Sequence, residues 1–149
     1  MSENEAANFE ENRRRVDVEL FIIHPTMEPA EITAAVGLEA GTVHGVGQPK
    51  RTPKGGSLKG QYPDTRWRHS IRYELTGQWF ADKITLLVDR LIPRKAFFHQ
   101  LRATGGTAEV IVQFSGDGYL GDNVPLATLA KMAELQLDFG IECFTVRQS

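Results

Sequence analysis

The chain has 149 residues, with 17 Lys+Arg against 19 Asp+Glu, four histidines and one cysteine. That length suits one domain able to bury about 68–70% of its unfolded surface, and 41% hydrophobic with 24% charged content excludes wholesale disorder. The single cysteine excludes an internal disulfide framework and a cysteine-rich zinc site, and a net charge of -2 argues against a surface built throughout for nucleic acid.

Residues 1–14 are polar and offer little to bury, so a disordered N-terminal arm is expected ahead of a single α+β domain over residues 15–149. Its glutamates precede its arginines, the reverse of a secretory signal, and no run approaches the roughly 20 apolar residues of a membrane helix. A cytoplasmic protein with no membrane partner is expected. Val16, Val18, Leu20 and Ile22 then alternate with Asp17, Glu19, Phe21 and Ile23, the period of a strand. Phe21 and Ile23 make its second half apolar on both faces, as in a central strand, and His24-Pro25 ends it.

A short helix follows from about Glu28 to Val36, with Pro29 in its first turn, Ile32, Ala35 and Val36 inward, and Gly37 closing it. Residues 41–65 lack periodicity and carry six glycines and three prolines, so they read as one long basic loop. Alternation returns from Arg66 to Leu75, with Trp67, His69, Ile71 and Tyr73 inward and Arg66, Arg68 and Arg72 outward. Phe80, Ile84, Leu87, Val88 and Leu91 then follow helical spacing. Pro93 stops that helix and opens another, with Phe97, Phe98 and Leu101 inward and Gly105-Gly106 at its end.

Ala108–Phe114 is the third strand, and the glycines of 115–123 make a loop. A helix is expected from about Pro125 to Leu135, with Leu126, Leu129, Ala130 and Ala133 inward and Asp122 or Asn123 capping it; a strand over Asp138–Val146 closes the chain. The expected architecture is a two-layer α+β sandwich in the order β-α-β-α-α-β-α-β. A four-stranded sheet carries the helices, as two βαβ-like units joined by the central helix pair.

Charge is the strongest functional signal. Between Val43 and Tyr73 stand Lys50, Arg51, Lys54, Lys59, Arg66, Arg68 and Arg72 against Asp64 alone. A basic loop running into a basic strand face suits an acidic protein patch or a polyanion, with nucleic acid the less favoured partner; the bland alternative is a solubilising charged face. The glycines of 45–56 lack the Gly-Lys-Ser/Thr triplet and the following helix of a phosphate loop. His24, His44, His69 and His99 show no metal-ligand spacing, and no metal or cofactor is expected. His24 reads as a turn histidine and His69 as a hydrogen-bonded core histidine. Cys143 lies in a strand without basic neighbours and reads as a buried thiol. The Gly-Asp-Gly stretch at 116–118 lacks the ligand alternation and closing glutamate of a calcium loop. No pair of carboxylates stands out as an acid/base couple, and no catalytic residue is assigned.

The first strand, Ile32-Thr33-Ala34-Ala35-Val36-Gly37-Leu38, the glycine-bearing loop reaching Trp67, Leu86-Leu87 through Leu91-Ile92-Pro93, Leu101, and Leu137-Asp138-Phe139-Gly140-Ile141 together resemble the bacterial domain-of-unknown-function family 4279. The resemblance covers about Val16 to Phe144. It departs in a longer, more basic insertion at Pro49–Tyr62 and in Phe144 where a tyrosine is expected. It implies a small α+β domain and supplies no reaction. The expectation is therefore a non-enzymatic binding module acting through Lys50, Arg51, Lys54, Lys59, Arg66, Arg68 and Arg72. One alternative is a small-ligand binder or enzyme with a pocket beneath the loop, contacted by His44, His69 and the arginines. The other is a homodimeric interaction domain joined by a strand edge or by apolar helix faces that include Phe97 and Phe98.

Overall fold

The computed structural model describes residues 15–73, 80–115 and 121–144. The arm at 1–14 and the glycines of 116–118 lie outside them. The elements run β1 (Arg15–His24), α1 (Pro29–Val36), β2 (Val43–His44), β3 (Pro49–Arg51), β4 (Ser57–Gln61), β5 (Thr65–Tyr73) and α2 (Phe80–Leu91). A 3-10 turn (Ile92–Arg94), α3 (Lys95–Ala103), β6 (Thr107–Ser115), α4 (Leu126–Glu134) and β7 (Asp138–Phe144) complete them.

The alternation of β1 places Val16, Val18, Leu20 and Ile22 on the helix-bearing face, each 1% exposed or less. As its doubly apolar second half requires, β1 is the central strand, in the order β2-β5-β1-β6-β7. The sheet has five strands where four were expected. The fifth, β2, is two residues long, too short to leave a period in the sequence. A separate two-stranded sheet, β3-β4, also lies inside the segment read as a loop.

Only one of the two expected βαβ units exists. His24 pairs with Thr65, so β5 starts beside the end of β1 and must run back along it. The second unit is genuine: α4 returns the chain to the start of β6, where Asp138 pairs with Glu109, and β7 runs parallel to β6.

Trp67 is wholly buried, and its indole N–H donates to Thr33 Oγ1 at 3.0 Å, pinning α1 to β5. Pro29 opens α1 and Gly37, at φ 76°, ends it in the left-handed conformation. Asp122 caps a different helix from the one expected. Its Oδ2 accepts the Ala81 N–H of α2 at 3.0 Å, while α4 starts after Pro125 with no side-chain cap.

The inward stripe of α4 is also reversed. Thr128 and Met132 are buried, followed by Leu135 just past the helix, whereas Leu126, Leu129, Ala130 and Ala133 face outward. The Thr128 hydroxyl bonds that of Thr85 in α2 at 2.9 Å, so a satisfied polar pair holds the interface and turns the leucines out. Phe98 is 1% exposed, and half-buried Phe97 packs against the same core.

Candidate functional site

The segment from Gly41 to Thr65 is organised by backbone bonds that no side-chain period announces. Gly41 N–H donates to Arg68 O at 2.7 Å, and β2 then lies along β5 with Val43 opposite Trp67 and His44 opposite Arg66. A tight turn follows in which Gln48 N–H reaches Gly45 O at 3.1 Å and Gly47 takes φ 77°. Gly47 N–H to Tyr62 O and Tyr62 N–H to Gln48 O, both 2.9 Å, close the base of the β3–β4 hairpin. At its tip Thr52 N–H donates to Gly56 O at 2.7 Å, and Thr52 Oγ1 accepts Gly56 N–H at 2.9 Å.

A cleft of roughly 600 Å³ opens between β2 and this hairpin, lined on one side by Thr42, Val43 and His44 and on the other by Gln48, Pro49, Arg51, Thr52, Pro53 and Tyr62. The His44 and Tyr62 rings stack with centroids 3.7 Å apart and planes 4° from parallel. Tyr62 Oη accepts the Arg51 N–H at 3.3 Å, which fixes the start of the arginine side chain at the cleft. Asp64 binds Arg66 Nε at 3.1 Å and stands 3.9 Å from His44 Nε2. Burial holds the His44 pKa below its usual 6.5, helped by the Arg66 and Arg68 charges and opposed by Asp64.

The seven cations expected to form one surface are split. Lys50, Arg51, Lys54 and Lys59 ride on the hairpin, three of them exposed and Lys50 half-buried, and none has an ion pair among the described residues. Arg66 and Arg68 lie on the sheet face away from the helices and are both engaged. Arg68 Nη1 meets Glu19 Oε1 at 2.7 Å, its guanidinium sits 4.0 Å over the Phe21 ring, and Ser70 donates to Glu19 Oε2 at 3.1 Å. Glu19 is 5% exposed, so this pair is largely out of water. Arg72 keeps its register place opposite Asp17, and its side chain lies outside the described residues.

Across the same sheet face the sign reverses. Glu109 stands beside Asp138 and Glu142; burial raises its pKa, and the two neighbouring carboxylates raise it further. Its carboxylate packs over Gly140, in the space that a side chain at that position would fill. Arg102 holds Asp138 at 2.9 Å and Gln113 donates to Glu142 at 3.0 Å.

The other histidines have structural tasks. His24 Nδ1 accepts the N–H groups of Thr26 and Met27 at 3.0 and 2.9 Å, which leaves Nε2 to donate to Thr104 Oγ1 at 2.8 Å. It is the turn histidine that its place before Pro25 suggested. His69 Nδ1 bonds Glu39 O at 2.6 Å and His99 Nε2 bonds Glu134 O at 2.7 Å. Of the histidines weighed as pocket contacts, only His44 lines the cleft. Cys143 is exposed where a buried thiol was expected, because β7 is an edge strand whose Phe139, Ile141 and Phe144 are also 42%, 62% and 57% exposed.

The mixed sheet with its single parallel crossover gives context to the comparison with known families, where the profile of the domain of unknown function DUF4279 matches residues 14–143. The chain belongs to the DUF4279 family. The matched range spans nearly all of the described residues, and the family description assigns no activity. None of the curated proteins and none of the solved structures compared with the chain matches it. No helix among the described residues is long and apolar enough to cross a membrane.

Proposed function

We propose that this DUF4279 protein is a non-enzymatic binding module that takes an acidic segment of a protein partner on the β3–β4 hairpin. One observation carries the reading: Lys50, Arg51, Lys54 and Lys59 project from one small hairpin without a carboxylate partner among the described residues, whereas the strand-face arginines Arg66 and Arg68 are paired. Cations left in water keep their charge for a ligand, while a guanidinium already bonded to a buried carboxylate must break that contact first. The backbone bonds at the base and tip of the hairpin hold the chain that carries the four charges, which lowers the ordering cost of association.

Titration of the whole protein with a short poly-glutamate peptide tests this reading. Saturable binding that weakens as salt rises from low to physiological ionic strength supports it, because exposed charges are screened within about 8–10 Å. Absence of binding at low salt overturns it.

The cleft favours a second reading, a small-ligand site beneath the hairpin. Its volume of roughly 600 Å³ falls in the range of small-molecule pockets.

A further inference from the structure

We propose that the cleft between β2 and the hairpin binds a small organic anion with a flat apolar body, such as an aromatic carboxylate. The inference rests on the hairpin being a recognition surface and assigns the chemistry of a ligand to the cleft beside it.

Among the described residues the lining contains no carboxylate. Its polar groups are mostly donors, and their local bonds leave protons to give. Gln48 Oε1 already accepts Gly45 N–H at 2.9 Å, so its amide NH2 is the end left for a ligand. Thr52 Oγ1 accepts Gly56 N–H at 2.9 Å, which leaves its hydroxyl proton to donate. Arg51 adds the one full positive charge on the lining, in the planar fork that matches a carboxylate. An anion placed there meets donors on the hairpin side, and the nearby Asp64 carboxylate, beside His44, is engaged by Arg66.

The remaining wall explains the flat apolar body. Val43, 40% exposed, and the rings of Pro49 and Pro53 supply apolar surface. His44 and Tyr62 already stack face to face, so a third ring can extend the stack from an outer face. Such a ligand gains from both halves of the cleft, whereas a bare anion or an uncharged ring gains from one.

A titration of the full chain by amide NMR, using benzoate, acetate and benzyl alcohol as probes, tests the proposal. Benzoate is expected to shift Thr42, His44, Arg51 and Thr52 saturably, with acetate and benzyl alcohol each weaker by about tenfold or more. Arg51→Gln is expected to lower benzoate affinity about tenfold, the scale of one charge-assisted bond. The double variant Lys54→Ser/Lys59→Ser separates this site from the acidic-partner reading. It should leave benzoate affinity within about twofold, since neither residue lines the cleft, while weakening the poly-glutamate peptide. Acetate binding as well as benzoate, shifts confined to the lysines, or indifference to Arg51→Gln would each overturn the proposal.

Discussion

Arg68 reaches across from β5 to Glu19 on the central strand, 2.7 Å between Nη1 and Oε1, with Glu19 only 5% exposed and the guanidinium lying over Phe21. A carboxylate so far from water is tolerable because Arg68 and Ser70 bond both of its oxygens. Arg68→Met therefore leaves a buried charge with one partner. Removing one member of a buried pair costs 3–5 kcal/mol in general; Ser70 and the partial exposure of Arg68 reduce the expected loss to about 2–3 kcal/mol. Urea denaturation measures it, and Glu19→Gln in the same chain should restore part of the stability. Arg66→Gln, at an exposed pair with Asp64, should cost less than about 1 kcal/mol.

His24 sets a pH limit on the fold. Two backbone N–H groups point at Nδ1, so the folded protein needs the neutral ring, and burial lowers its pKa from 6.5 against an opposing influence of Glu31. A histidine whose folded pKa is depressed leaves stability whole above 6.5. As pH falls below that value the unfolded chain takes up the proton first, and stability declines until the folded pKa is reached. Denaturant midpoints measured from pH 8 downward should stay level and then drop. His24→Asn should make that drop shallower, with His44, also depressed, contributing to what remains.

Gly106 closes against the same histidine. A β-carbon there would stand 2.7 Å from His24 Cδ2 and 2.9 Å from Leu101 Cγ, closer than real contacts allow, and 3.0 Å from Ile23 O, tighter than most. The backbone oxygen cannot yield, so Gly106→Ala should destabilise by about 1–3 kcal/mol in thermal or urea unfolding. An alanine tolerated without loss would contradict this packing.

At the cleft, the His44 ring is poised between opposing charges. Asp64 raises its pKa, Arg66 and Arg68 lower it, and Arg51 and Tyr62 face it from the hairpin side. Asp64→Asn should move the NMR titration of His44 to lower pH, and Arg66→Gln to higher pH. Equal titrations in the two variants would show that neither neighbour acts on the ring.

Strand periods made most of this fold legible. The face of Val16, Val18, Leu20 and Ile22, the stop at Pro25 and the left-handed Gly37 follow directly from residue type and spacing. Short exposed strands were not legible, since β4 is exposed at all five positions and shows no alternation of burial. The stripe of α4 misled because leucines usually mark a buried face, whereas here a bonded Thr85–Thr128 pair outweighs them. The seven cations were visible as a cluster, yet chain proximity hid their division between a hairpin and a paired sheet face. Glu19, which alternates outward on β1, was the signal in the sequence that a cation on the neighbouring strand would be engaged.

The proposed recognition by the hairpin, and not by the arginine strand, has a direct test. The affinity of a fluorescent poly-glutamate peptide, measured by anisotropy at low and physiological salt, tests it in three proteins: the natural chain, the variant with Lys50, Arg51, Lys54 and Lys59 changed to serine, and Arg66→Gln. Salt-sensitive binding is expected, lost in the hairpin variant and kept within about twofold in Arg66→Gln. Binding that survives in the hairpin variant, or that disappears with Arg66→Gln, would contradict it.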